Sequence, residues 1–180
     1  MTLICAKISG AGKLIVVGGP AGRLELARKM GTDVTIDIDQ VASVEDRTEL
    51  VMSHTTNEEG TDIVFECAGF LPATPEGLGY VKYDGTFVEV GHFVDMGSID
   101  LNLNQLLMRK NIRLEAVWAS QYEHFVRGLP ILEKNEFPFA EMVSHVLPLS
   151  RVKEGFEALN GNYQLDDKTT VKIVVQSDAD

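Results

Sequence analysis

The sequence predicts an α/β fold, a parallel sheet with helices on both faces. Three observations lead there. Short apolar runs alternate with segments of helical periodicity along almost the whole chain. Several runs are continuously apolar, as strands covered on both faces require. Each connection between runs has room for the helix that a parallel crossover needs.

Residues 14–17, LIVV, are the first run and read as a strand buried on both faces. Leu24, Leu26, Ala27 and Met30 then recur at helical spacing, and Gly31 ends that helix where a residue without Cβ fits. VTIDI (34–38) is the second strand. Residues 43–54 read as a helix opened by Ser43, with Glu45 and Asp46 in its first turn. TDIVFECAG (61–69) is the third strand and ends in small residues. A helix follows over 72–82, with Pro72 and Pro75 tolerated in its first turn. GTFVEVG (85–91) is the fourth strand, a short helix lies near 102–109, and IRLEAVW (112–118) is the fifth strand. A helix over 121–135, a strand over 142–149, a helix from Ser150 to Leu159 and a strand over 169–176 complete the pattern. The polar end SDAD (177–180) is expected to fray.

At 180 residues, with 44% apolar and 24% charged side chains, the chain has the length and balance of one ordinary globular domain. Its net charge of −11 excludes a general nucleic-acid surface, which needs a basic face. No apolar run approaches the ~20 residues of a membrane span. No basic segment precedes the apolar patch near the start, so it does not read as a secretory signal. Cys5 and Cys67 form neither a CxxC pair nor a ligand cluster; core packing is the expectation for both, in a reducing, cytoplasmic compartment.

Two glycine turns compete for the role of phosphate turn. A dinucleotide fingerprint is G-x-G-x-x-G directly after a strand and opening a helix. Gly10-Ala11-Gly12 precedes a strand, and Ile15 stands where the third glycine belongs. Gly18-Gly19-Pro20-Ala21-Gly22 does follow a strand and open a helix, but its spacing is wrong and Pro20 has no N–H to donate.

The stretches AKISGAGKLIVVGGPAGRLELARKMGTD, GTDIVFECAG, GTFVEVGHF and VSHVLPLSRVKEGFEAL, in this order, resemble the zinc-type alcohol dehydrogenases of the medium-chain dehydrogenase/reductase superfamily. The resemblance runs from about Cys5 to Val175 and concerns the cofactor-binding and C-terminal half of that family, with the last ~35 residues similar to its C-terminal segment. It implies one Rossmann-like, truncated nicotinamide-cofactor domain over 1–180. The family's first strand, its glycine turn and its zinc-carrying catalytic domain would lie before residue 1. The order implied is 3-2-1-4-5-6 with the first strand missing. The strands at 14–17 and 62–66 are then expected either to pair directly or to be separated by a gap filled by other chain. Residues 3–9 are expected to be helical, because the five residues from Gly10 to Leu14 cannot make a parallel crossover.

By the same resemblance Gly18, Gly19 and Arg23 sit at the second turn, beside the adenosine ribose. Gly18 replaces the acid common in NAD-preferring members, and Arg23 could reach a 2′-phosphate with its planar fork, which leans toward NADP over NAD. The alternative is that Gly18 and Gly19 only make the turn and Arg23 is a solvated helix residue. Strand ends carry ligands in such sheets. Ala68, Gly69, Val90, Gly91, His92, Val117 and Trp118 are therefore the expected nicotinamide walls, against the alternative of tight strand exits. His92 has no partner nearby in sequence and reads as a polar loop residue; His54, His124 and His145 read as structural, and Trp118 as a packing or interface residue. No catalytic residue and no metal ligand is assigned, and zinc belongs to the family's other half.

Two functions stand. One is the NAD(P)-binding part of a zinc-type alcohol dehydrogenase, binding cofactor weakly and inactive unless a catalytic half, on this or another polypeptide, supplies the zinc. The other is a non-catalytic dimerising or nucleotide-sensing module. The resemblance also implies a homodimer built on the edge strand 112–118, with help from 93–103.

Overall fold

The structure, a computed structural model, describes residues 1–177. All but the first residue of the expected frayed end thus lie outside the described residues. In chain order the elements are α1 (Thr2–Ile8), β1 (Ile15–Gly18), α2 (Ala21–Lys29), β2 (Val34–Asp37), α3 (Val44–Ser53), β3 (Thr61–Glu66), α4 (Ala73–Tyr80) and β4 (Val81–Glu89). They continue with α5 (Leu103–Leu106), β5 (Arg113–Ala116), α6 (Tyr122–Glu133), β6 (Val143–Pro148), α7 (Val152–Asn160), β7 (Gln164–Leu165), β8 (Lys168–Thr169) and β9 (Lys172–Gln176).

The α/β class and the parallel pairing hold. Two compact units are present: one from Leu3–Asp39 and the chain from Glu123 onward, the other from Gln40–Tyr122. In the first, β1 pairs with β2 and β6 with β9, both parallel. Ile4, Leu24, Met30, Ile36, Leu147 and Ala158 are its buried apolar residues. The antiparallel β7–β8 hairpin, which the apolar pattern does not reveal, joins the same unit. His145 ties it to β6, since its Nε2 lies 2.9 Å from the Leu165 carbonyl, a structural role as expected.

In the second unit the sheet order is β3-β4-β5, all parallel. Leu78, Val81 and Phe87 form its core, with Val64, Leu101, Leu106, Leu107 and Ile112 packed around them. Each fully buried side chain of this size contributes about 1.5–3 kcal/mol. Gly77 lets α4 press onto the sheet: a Cβ there would lie 2.9 Å from Cε2 of Phe87. Ser43 caps α3 by accepting from the Asp46 N–H at 3.2 Å. Arg47 then binds α3 to α4, donating from Nε and Nη2 to the two Glu76 oxygens at 2.6 and 2.7 Å and from Nη1 to the carbonyls of Val41 and Ala42.

β1 and β3 belong to different units and to different sheets. Residues Thr2–Ile8 are helical, as the short Gly10–Leu14 connection requires. Two expectations need correction. All four β1 residues are half-buried rather than buried, since β1 has a strand neighbour on one side only. Both cysteines are exposed, not packed in a core. On β3 the strand alternation turns Glu66 inward, so the adjacent Cys67 faces out; on α1 the buried position is Ile4, beside Cys5.

Candidate functional site

The ladders of the second unit bring three strand ends to one level. Glu66 is the register partner of Glu89, and Glu89 of Ala116. The pairing runs one step further, because Val90 N–H donates to the Glu66 carbonyl and Val117 N–H to the Glu89 carbonyl, each at 3.0 Å. Ala68, Gly69, Val90, Gly91, His92, Val117 and Trp118, expected from the sequence as one wall, therefore leave the sheet side by side.

Gly69 and Gly91 make this possible. Gly69 has φ +64°, and a Cβ on it would lie 2.5 Å from the Gly91 carbonyl oxygen. Neither position tolerates a side chain without moving backbone. A cleft of about 140 Å³ opens beside them, lined by Glu89, Val90, His92, Ala116, Val117 and Trp118. A second, of about 260 Å³, shares Glu89 and His92 and continues along Leu71, Thr74 and the loop 94–99. Trp118 is 73% exposed, which excludes packing within the unit as its role.

His92 is not the unpartnered loop residue its sequence neighbours suggest. Its Nδ1 lies 3.0 Å from Oε1 of Glu89 and 3.6 Å from Oε2 of Glu66. Glu66 is buried; its Oε1 accepts from the N–H groups of Ala68 and Gly69 at 2.8 and 2.9 Å. Glu89 Oε2 accepts from the Thr74 hydroxyl at 3.1 Å. Oε2 of Glu66 and Nε2 of His92 are buried with no hydrogen-bond partner. Burial, and then the neighbouring Glu89, push the Glu66 carboxyl above the ordinary glutamate range. Burial acts the same way on Glu89, but hydrogen bonds to Glu66, His92 and Thr74 outweigh it and hold that carboxyl low.

Among the described residues these three side chains are the one group of His, Cys, Asp and Glu whose ligand atoms, all within 4.8 Å of one another, could hold a metal ion. Glu66 and Glu89 escape a sequence search because each sits in an apolar run as an isolated acid, and only the strand register joins them. The signal that could have found them is an acid in the last position of two consecutive parallel strands.

Gly18, Gly19 and Arg23 lie in the other unit, at the end of β1 and the start of α2. The helix opens with Pro20 as its N-cap and no side-chain cap. The Nε–H of Arg23 donates to the Thr170 carbonyl at 3.2 Å, and its guanidinium lies 4.1 Å from the centroid of the Tyr163 ring. Arg23 is thus held by the chain around the β7–β8 hairpin and is not merely a solvated helix residue.

The family model described as zinc-binding dehydrogenase matches residues 1–134. D-arabitol-phosphate dehydrogenase of Enterococcus avium is 25% identical over 158 residues, 87% of this chain and 41% of that protein. L-threonine 3-dehydrogenase of Bacillus subtilis (strain 168) is 25% identical over 162 residues, 88% of this chain and 44% of that protein. An alcohol dehydrogenase structure from Thermotoga maritima superposes with a TM-score of 0.85 at 26% identity, covering 98% of this chain and 46% of that one. A structure from Sinorhizobium meliloti 1021, bound to NADP, shares the fold at a TM-score of 0.79 and 20% identity, covering 97% of this chain and 48% of that one. The chain spans less than half the length of these relatives. Matched by model over most of its length, and in fold over nearly all of it, the chain belongs to the zinc-binding dehydrogenase family.

Proposed function

We propose that the chain is the nicotinamide-cofactor part of a zinc-type alcohol dehydrogenase, serving hydride transfer between an alcohol or carbonyl and NAD or NADP when a catalytic half is present. The observation that carries this reading is the level set of strand ends, where Gly69 and Gly91 let two backbones meet and Glu89, Val90, His92, Ala116, Val117 and Trp118 line a cleft of about 140 Å³. A flat ring fits such a wall: Val90, Ala116 and Val117 offer apolar sides, and exposed backbone offers acceptors for an amide. Trp118 and the loop after His92 would keep water from the ring face that receives hydride. In the family's reaction zinc, when bound, polarises the substrate oxygen. This chain's part is to bind and orient the nicotinamide.

Of the two cofactors we favour NADP. Gly18 presents no carboxylate to repel a 2′-phosphate, and the contacts of Arg23 with Thr170 and Tyr163 fix the plane of a guanidinium near that turn. The Sinorhizobium meliloti structure carries NADP. Binding by the chain as it stands is weak. No G-x-G-x-x-G turn joins a strand to a helix among its residues, and Pro20 brings no N–H to the turn it has. Two missing hydrogen bonds to pyrophosphate, at about 1.5–3 kcal/mol each, and the helix-end contribution of about 0.3–1 kcal/mol carry a micromolar affinity into the millimolar range.

A homodimer through residues 112–118 and a cytoplasmic setting belong to the same proposal. Leu114 on β5, an edge strand, and Val117 and Trp118 just beyond its end are exposed, and an open apolar edge calls for a two-fold partner. The free cysteines are consistent with a reducing compartment, and no helix among the described residues is long and apolar enough to cross a membrane. Titration calorimetry with NADPH and NADH tests the cofactor reading. Millimolar binding that favours NADPH supports it; low-micromolar binding, or none at 10 mM (roughly ten times the ~1 mM expected), overturns it. Zinc-dependent alcohol oxidation by the chain alone would equally overturn the division of labour.

A further inference from the structure

We propose that Glu66, Glu89 and His92 form a binding site for one divalent transition-metal ion, of the Zn²⁺ or Co²⁺ class, built wholly within the unit Gln40–Tyr122. It shares Glu89 and His92 with the cleft assigned to the nicotinamide but does not need a nucleotide.

The case starts from Oε2 of Glu66. The Glu66 side chain is 3% exposed, and this oxygen has no hydrogen-bond partner, although it faces Nδ1 of His92 at 3.6 Å. Its sister oxygen is already fixed by two backbone N–H groups, so the carboxylate cannot turn away. Glu89 arrives from the neighbouring strand at the same register level, with one oxygen held by Thr74 and the other 3.0 Å from the same imidazole nitrogen. Three ligand atoms therefore converge, each on a side chain anchored by a second contact or by the strand itself. Anchoring of this kind is what orients metal ligands.

The spacing suits a small ion. Zinc–oxygen and zinc–nitrogen bonds of about 2.0–2.2 Å place tetrahedral ligand atoms roughly 3.3–3.6 Å apart. Nδ1 of His92 is 3.6 Å from Glu66 and 3.0 Å from Glu89, so the second separation must widen by a few tenths of an ångström. Among the described residues no Lys or Arg pairs with either glutamate; the imidazole is the only basic group in ion-pair range. The mixed oxygen and nitrogen set favours zinc, cobalt or nickel over magnesium and calcium, which prefer oxygen alone. Both clefts reach Glu89 and His92, leaving an open side through which the ion can enter and a water can complete its shell. Bound there, the ion would cross-link the ends of β3 and β4 to the turn at His92.

The experiment uses the full chain, freed of any purification tag and stripped with chelator. Zn²⁺ is titrated by calorimetry, and Co²⁺ by its visible absorption. One equivalent binding in the micromolar range, a Co²⁺ spectrum with a nitrogen ligand, and a melting temperature raised by ~5–10 °C at 100-fold excess over Kd are expected. Glu66→Gln keeps an oxygen for the Ala68 and Gly69 N–H groups, and it should weaken binding by at least ~10-fold. Glu89→Gln and His92→Gln should do the same, and circular dichroism of each variant shows whether it folds. Full binding in all three folded variants, or only millimolar binding by the parent chain, overturns the site. Neither outcome bears on the cofactor titration, which is run in chelator.

Discussion

Gly69→Ala should destabilise the unit Gln40–Tyr122 by about 2–5 kcal/mol. Two effects add. Residue 69 has φ +64°, where a Cβ costs about 1–2 kcal/mol. The new Cβ would also lie 2.5 Å from the Gly91 carbonyl oxygen, which is backbone and cannot swing aside as a side chain could. Forcing strand ends apart in this way costs typically about 1–3 kcal/mol. Gly69→Asn separates the two effects, since asparagine tolerates positive φ but brings the same Cβ. It should lose less than alanine and still lose the steric part. Gly97→Ala serves as a strain-only control, having φ +105° with just Cδ1 of Leu71 at 4.0 Å. Urea unfolding followed by circular dichroism is the assay. A Gly69→Ala loss below about 1 kcal/mol would refute the reasoning that two bare backbones meet at the strand ends.

Breaking the Arg47–Glu76 pair by Arg47→Ala should cost about 3–5 kcal/mol, since the partner charge is left nearly buried, whereas Arg47→Met with Glu76→Leu should recover most of it. Burial raises the Glu76 carboxyl, but hydrogen bonds from Arg47 and Tyr80 win and hold it below the ordinary glutamate range. Its contribution is therefore complete above the unfolded pKa and is lost as pH falls through the folded one; Glu76→Gln should flatten that acid limb in urea titrations. Arg23→Ala should weaken NADPH about tenfold and NADH little, by calorimetry, and an equal loss for both would remove Arg23 from the 2′-phosphate. Val117→Asp should turn a sedimenting dimer into a monomer, while a parent chain that sediments as a monomer at high micromolar concentration rules out the β5 edge contact.

The strands and helices were readable because short apolar runs alternate with helical periodicity along the sequence. Ser43, Pro72 and Gly31 marked element ends where the structure has them. The β7–β8 hairpin was not readable, for each strand has two residues and no alternation can show in so few. Glycine positions betrayed the strand ends, since Gly69 and Gly91 follow apolar runs directly. The partners of His92 did not show, because the pairing of Glu66 with Glu89 is a property of register rather than of spacing along the chain. The cysteines misled for a related reason: composition says that cysteine is often buried, but strand alternation decides which residue of β3 and its exit faces inward.

Whether the strand ends at Ala68–Gly69, Val90–His92 and Val117–Trp118 receive a nicotinamide is read by titrating NADPH into isotope-labelled chain and following backbone amide and Trp118 indole signals by NMR. Saturable shifts are expected at Gly69, Gly91, His92, Val117 and the Trp118 indole, together with shifts around Gly18 and Arg23. Shifts confined to residues 18–23, or none at saturation, would contradict that placement.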